Sequence, residues 1–524
     1  MRDRITWILL CLLLVTPFFA VVAASNTQEA RFESQQGATA TATNVFTSYL
    51  GGSGEERTHD GKVDSENNII IAGETSSTDF PTVNALNDTY SGSTDGFVAK
   101  FSPENDLVFS TYFGGSDLDL VSDICIDSND NIIAIGMTRS VNIPLLSPLQ
   151  AAYGGGEFDG FIAKFNSSGS LLFSTYFGGS GREFLLRAVC DESDDILIVG
   201  STTSPNVNTT EGVIQPEFGG DSDIMILKLS SDGQSLQFCT YFGSANEESG
   251  ESIRFDSSGN IVVVGTTNSA ACVTEGAYQQ EYGGGALDVL VLKLDASAGT
   301  LFFATLLGGH GWEICSEIQF DAGDNIVVGG VTSSGDLPVH NGIQAALRGA
   351  TDSFIFKISS TGTSLLYLTY IGGNGIDENY GGEPLDDGSL ILAGWSTSTD
   401  YPTRNSPYNE SQGFGDAFVL HMEADGQTIR FSTLFGGSRE DGCDWAGIDA
   451  NGNYVLVGYT SSADLPVVDA YQSEYSGAQD AFVSIISVSE HEITLSPEIL
   501  TLIMVIGVVS IIVVGGVVLL KIRR

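Results

Sequence analysis

Seven acidic residues occupy one recurring position along this chain: Glu56, Asp119, Glu183, Glu248, Glu313, Asp377 and Asp441. Each stands four residues after the second member of a Gly-Gly pair, or of Gly243-Ser244 in one copy. If the segments they open lie nearest a common axis, the seven carboxylates ring one mouth of a channel. Like charges in a ring repel unless cations or hydrogen-bond donors sit among them. One reading is a cation-attracting rim, with Ca²⁺ the natural occupant because it prefers oxygen ligands. The other is that each carboxylate bonds to backbone or Ser/Thr groups of a neighbouring unit. The Asx-rich stretch Asp127-Ser128-Asn129-Asp130-Asn131 lacks the following Gly and distal Glu of an EF-hand loop and reads as a hairpin turn.

The same segments carry polar residues that differ from copy to copy. Asp60, Asp123, Arg187, Glu317 and Trp445 share one position, and Lys62, Arg254, Gln319 and Glu383 follow two residues later. A carboxylate pair such as Asp123 and Glu317 has the chemistry for acid–base work. Their three-unit separation in sequence favours a wet channel wall. His59, His310, His340, His421 and His491 form no HxxxH pair. No Gly-x-Ser-x-Gly elbow or Ser/His/Asp order is present. Trp312, Trp395 and Trp445, with His310, suit either sugar stacking at a mouth or packing. Outside the leading segment, Cys125, Cys190, Cys239, Cys272, Cys315 and Cys443 form no CxxC or metal spacing, and buried free thiols are expected.

The elements that position these groups come from a repeat. The phrase Tyr112-Phe113-Gly114-Gly115-Ser116 recurs with its first glycine at 51, 114, 178, 243, 308, 372 and 436, a period of 63 to 65 residues. Each unit also holds a β-branched run ending in Gly, such as Ile69-Ile70-Ile71-Ala72-Gly73. An Asp opens a further alternating run at Asp95, Asp159, Asp223, Asp288, Asp352, Asp416 and Asp480. That Asp is expected to accept backbone N–H groups at the start of a strand. The Gly-Gly pairs are expected to supply positive φ or close backbone approach. Turn clusters between the runs give four short antiparallel strands per unit. Seven such units predict an all-β, seven-bladed β-propeller. A lone strand at Val45–Leu50 precedes the first full unit and the last unit lacks its fourth, so the N-terminal strand is predicted to complete the last blade.

On the Tyr-Phe-Gly-Gly-Ser phrase, the Asp256-Ser257-Ser258-Gly259-Asn260-Ile261 turn, the Thr75–Thr82 segment and Asp95-Gly96-Phe97-Val98-Ala99-Lys100, the chain resembles the seven-bladed propeller repeats called SBBP repeats over residues 44–488. The resemblance implies a secreted or surface binding or adhesive scaffold.

The ends and the composition agree with that setting. Arg2 and Arg4 precede an apolar run from Ile5 to Val22 and small residues before Ser25, the layout of a signal peptide over residues 1–24. A flexible lead-in is expected over 25–43. After a short stalk at 489–498, Ile499–Leu520 is uncharged and spans roughly 33 Å as a helix, enough to cross a bilayer. Lys521, Arg523 and Arg524 follow, so the positive-inside rule places the basic tail in the cytoplasm and the propeller outside. The chain carries 66 acidic against 21 basic residues, which disfavours nucleic acid as a partner. Sequons at Asn87, Asn166, Asn208 and Asn409 are candidate glycan acceptors. The function expected is non-catalytic binding of an envelope glycan or surface protein. The alternatives are a polysaccharide lyase or hydrolase with a channel-mouth site, and a structural envelope subunit.

Overall fold

The computed structural model describes residues 41–489. The expected signal peptide, most of the lead-in, the stalk apart from Ser489 (which ends a strand), the terminal apolar run with its basic tail, and His491 lie outside the described residues. Among the described residues no helix is long and apolar enough to cross a membrane.

Those residues form 28 strands in seven antiparallel four-stranded sheets. Blade one runs Glu56–Val63, Ile69–Thr75, Asp95–Phe101 and Leu107–Phe113. Blades two to six repeat this over 119–177, 183–242, 248–307, 313–371 and 377–435. In blade seven, strands Asp441–Ile448, Tyr454–Thr460 and Asp480–Ser489 are completed by the N-terminal strand Thr41–Leu50. The seven strands that begin with the recurring acid touch one another around the ring, so they are the innermost strands and line the axis.

The β-branched and aromatic runs sit in the middle strands because both faces of each blade are covered by neighbours. The third strand Asp95–Phe101 is buried at all seven positions, where a half-exposed sheet would alternate. Apolar side chains from facing blades meet in seven separate cores, one per junction. Ile133 and Ile162 of blade two pack with Leu185 and Ile198 of blade three. At the seam, Phe46, Val457 and Val483 of blade seven pack with Ile71 and Phe97 of blade one.

Every inner strand carries a β-bulge at the same place, between Thr58 and Asp60 in blade one and between Val121 and Asp123 in blade two. The glycine ending each β-branched run serves this bulge. A Cβ on Gly136 would lie 1.9 Å from the Leu120 carbonyl oxygen, so only glycine fits opposite it.

The ring closes non-covalently. Thr41–Leu50 pairs antiparallel with Asp480–Ser489 from Thr41↔Ser489 to Leu50↔Ala481, so the closing strand starts ahead of the expected Val45. The Tyr49 hydroxyl donates to the Ser462 carbonyl at 2.9 Å, and the Asn44 side chain donates to that of Pro466 at 2.9 Å. Deleting residues 1–50 should expose both the Asp480–Ser489 edge and the blade-seven core. Thermal unfolding is expected to fall by about 10 °C or more, or the protein to aggregate.

Candidate functional site

The recurring acids are wholly or almost wholly buried. Glu56 accepts the Gly52 N–H at 2.9 Å and the Thr75 hydroxyl at 2.6 Å. Asp119 accepts the Gly115 N–H at 2.6 Å, the Ser140 hydroxyl at 2.7 Å and the Thr138 hydroxyl. Glu183, Glu248, Glu313, Asp377 and Asp441 repeat the pattern with Gly179, Ser244, Gly309, Gly373 and Gly437 and a hydroxyl of the second strand. Each carboxylate thus clamps the loop arriving from the preceding blade to its own blade. These N–H and O–H donors suit a bare carboxylate rather than a cage of cation-binding oxygens. Among the described residues, no group of three or more His, Cys, Asp or Glu side chains is placed to hold a metal ion.

A second carboxylate faces each of these across the blade junction. The aspartates that open the third strands accept backbone N–H groups as expected: Ser91 to Asp95 at 2.8 Å and Gly219 to Asp223 at 2.7 Å. A Cβ on Gly114 would lie 2.8 Å from both Asp95 Oδ1 and Asp119 Oδ2. The first glycine of the phrase is therefore required by close approach of two carboxylates, and φ is not positive there. The same facing holds for Asp480 with Glu56, Asp159 with Glu183, Asp352 with Asp377 and Asp416 with Asp441. Oδ1 of Asp95, Asp159, Asp223, Asp288 and Asp416 is buried with no hydrogen-bond partner. Burial pushes Asp95, Asp223, Asp288, Asp352 and Asp480 up to about 6 and Asp159 up to about 7, against their backbone N–H bonds. The facing carboxylate adds to the rise at Asp95, Asp159, Asp223, Asp288 and Asp352.

Beyond the clamps, sevenfold likeness ends. The residue after each clamp borders the mouth nearest the Gly-Gly loops. On blades two, three and five it is Leu120, Phe184 and Ile314, with the Phe158 ring tilted against Phe184 at 5.5 Å between ring centres. On blades one and six it is Arg57 and Glu378. Among the bulge residues, His59, Tyr380 and Asp444 stand on blades one, six and seven, and Glu251, its carboxyl raised by burial near Arg187, stands on blade four. The Arg57 guanidinium lies 5.1 Å over the Tyr459 ring. The Thr58 hydroxyl donates to Asp444 at 2.6 Å, and His59 Nε2 is 3.7 Å from Glu74. Burial pushes the Asp444 carboxyl up to about 6, opposed by Arg57 and His59. Apolar residues thus stand on blades two, three and five, and charged or phenolic ones on blades six, seven and one, with Ser249 and Glu251 on blade four between.

Sequence periodicity did not reveal Tyr380, Asp444 and Glu251 as channel residues. The extra residue of the bulge breaks the period-two reading of the inner strand at that point. A bulge is signalled only indirectly, by the glycine it requires on the second strand.

Deeper in the channel, Asp123 and Glu317 do come together, through Arg187. Its guanidinium reaches past blade four, meeting Asp123 at 2.9 Å and Glu317 at 2.6 Å. Lys62 holds Asp60 at 2.8 Å and lies 5.4 Å from the Trp445 ring. The Trp445 indole donates to Glu383 at 3.0 Å. Burial pushes Asp123 up to about 8 against the pull of Arg187, and raises Glu317 as well. Burial opposes the charge of Lys62, yet Asp60 and Glu383 hold its pKa above the usual lysine range. At the opposite mouth, Lys62, Glu383, Pro384, Asp386 and Trp445 border a cleft of about 210 Å³.

The remaining candidates are scattered. His310 bonds Asp336 on an outer loop, and His340 contacts Asn341. The three tryptophans do not share one sector: Trp445 is buried in the channel, Trp395 packs on Gly415, and Trp312 sits in the loop entering blade five. Asn208 and Asn409 are exposed, whereas Asn87 and Asn166 are half-buried. Asp127 accepts N–H groups of Asn129 and Asn131 in a hairpin turn.

No family model and no curated protein matches the chain. Among solved structures, a protein of unknown function from Dyadobacter fermentans is similar at 12% identity, with 86% of this chain and 99% of that one covered and a TM-score of 0.40. A PL25 ulvan lyase is similar at 8% identity, covering 80% and 93%, with a TM-score of 0.43. A europium-containing methanol dehydrogenase is similar at 8% identity, covering 85% and 93%, with a TM-score of 0.39.

Two outcomes follow from the buried charges. A carboxyl whose folded pKa is raised stabilises the fold below its unfolded value and loses that contribution as pH rises through the folded value. His421, buried and lowered to about 4, acts oppositely as pH falls from its unfolded value, but it is one group against seven raised strand-opening aspartates. The melting temperature should therefore rise between about pH 8 and about pH 5 in a calorimetric series. Arg187→Met strands Asp123 and Glu317 as unpaired buried acids, and should cost about 3–5 kcal/mol in denaturant unfolding at neutral pH. Lowering the pH should recover part of that loss.

Proposed function

We propose that this chain is a membrane-anchored, cell-surface binding module of the SBBP-repeat type. It recognises an envelope glycan or surface protein without covalent chemistry. The observation that supports this reading is the mixed rim of the mouth. The clamps repeat in every blade, while the residues after them differ: Leu120, Phe184 and Ile314 on blades two, three and five, and Arg57 and Glu378 on blades one and six, with Tyr380 beside Glu378. A rim with both apolar and polar groups of this kind suits a partner with both characters. The mid-channel charges are paired with one another, which leaves the mouth groups as the ones open to a ligand. The exposed Asn208 and Asn409 are the better-placed glycan acceptors.

The second reading, a carbohydrate-active enzyme, draws on one observation. Arg57, His59, Tyr380 and buried Asp444 gather on one arc, with the Asp444 carboxyl up to about 6. Such a group could move a proton at a bound sugar.

The test is binding of labelled full chain in mild detergent to envelope fractions. Saturable binding is expected, weakened at least about tenfold by Phe184→Ser with Ile314→Ser, which is about 1.4 kcal/mol. Leu172→Ser on the outer rim should leave it unchanged. Equal loss in all variants, or no binding, overturns the reading. Release of unsaturated or reducing ends from envelope polysaccharide, abolished by Tyr380→Phe, would move the assignment to the enzyme.

A further inference from the structure

Two cysteines break the repeat at neighbouring places. Cys125 occupies an inner-strand position held in other blades by residues such as Lys62, Arg254 and Gln319. Cys190 occupies the next position along, held elsewhere by apolar residues such as Ile126, Phe255 and Phe320. No other copy has cysteine at either place. The one-residue offset and the packing of the inner strands of blades two and three bring the two sulfurs to 3.5 Å. Both side chains border the same inter-blade core. Cys315 and Cys443, in contrast, donate to backbone carbonyls.

We propose that Cys125 and Cys190 are an oxidation site that forms a disulfide between blades two and three. The sulfurs need to close from 3.5 Å to about 2.05 Å, a side-chain adjustment. Cys190 is half-buried at the end of its strand, while Cys125 is buried, so Cys190 is the thiol that meets an oxidant first. The oxidant is a disulfide, either a small molecule or a thiol–disulfide exchange protein. The Cys190 thiolate attacks one of its sulfurs and releases the first thiolate. Cys125 then gives up its proton and attacks the Cys190 sulfur, expelling the second. The two cysteines lose two electrons and two protons, and the oxidant leaves as two thiols. The bond closes a loop of 64 intervening residues and ties two blades whose contact is otherwise non-covalent. Such bonds persist in oxidising compartments, which accords with an outward-facing propeller, although the chemistry itself does not depend on that placement.

Full-length protein in mild detergent, first reduced, is incubated with oxidised glutathione. It is then denatured, its free thiols are blocked with N-ethylmaleimide, and it is digested with and without reductant. The expected result is one linked peptide pair containing Cys125 and Cys190, lighter by two hydrogens than the reduced peptides. The oxidised protein should also melt about 4 °C above the reduced one. Cys190→Ser should abolish both signals, and Cys272→Ser neither. Blocked, unlinked Cys125 and Cys190, a stable glutathione adduct on Cys190 alone, or a linked pair of other cysteines overturns the proposal. A linked pair without a gain in melting temperature overturns the inter-blade staple. The mass readout on the unmodified chain holds even if Cys190→Ser fails to fold.

Discussion

A buried carboxylate at the head of each inner strand is the contact on which the propeller is organised. Asp119 joins three pieces: the Gly115 N–H of the loop from blade one, and the Thr138 and Ser140 hydroxyls of blade two. Removed from water, a carboxylate without such donors would be costly; with them it fixes the loop and the strand at once. The clamp also brings in the preceding blade's Asp95, whose own carboxyl crowds the same glycine. Glycine in the phrase, hydroxyls on the second strand and acids on the first and third are therefore one physical unit. Its repetition explains why the phrase varies so little around the ring.

Once the clamps and the inter-blade cores hold the blades, the bulged part of the inner strand is free to vary. The clamped position is acidic in all seven copies. Four positions on, the copies carry Asp, Arg, Ser, Glu, Gly or Trp. Charges placed there satisfy one another across the axis, as Arg187 does with Asp123 and Glu317. The ionic network is thus a consequence of a narrow channel lined by variable residues. It stiffens the middle of the channel and leaves recognition to the rim.

How much was legible in the sequence follows from these separate constraints. The blade count, the strand order and the closing strand were readable because each rests on short-range signals repeated seven times: the Gly-Gly phrase, the β-branched run and the strand-opening Asp. The donors of the clamps were only half readable. Acids at one spacing suggested a ring, but the Thr75 and Thr138 hydroxyls lie 19 residues away along the chain. The bulge hid Tyr380, Asp444 and Glu251, because it inserts a residue where strict alternation was assumed. The meeting of Asp123 with Glu317 was hidden for a different reason. Their separation in sequence says nothing of an arginine long enough to span the axis between them.

Blade six shows what happens when one repeated contact is replaced. In blades one to five an aspartate of the first hairpin turn pairs with a third-strand lysine, as Asp64 does with Lys100 at 2.7 Å and Asp256 with Lys293 at 2.6 Å. In blade six these positions hold Leu385 and His421. His421 is buried between the Ser389 and Tyr454 hydroxyls, each at 2.8 Å, and burial lowers its pKa to about 4, so the contact is uncharged at neutral pH. The inner strand there is interrupted after Gly381 and resumes where the Ile391 N–H donates to the Glu383 carbonyl and Pro384 bridges Leu390. Glu383 reaches Trp445 and Lys62 at the lower mouth. Tyr380, on the same strand, belongs to the upper mouth. Blade six thus carries a distinct residue at both openings of the channel. Variation useful for recognition can enter this fold only where the clamp and the core do not reach, and blade six extends that freedom from one end of the axis to the other.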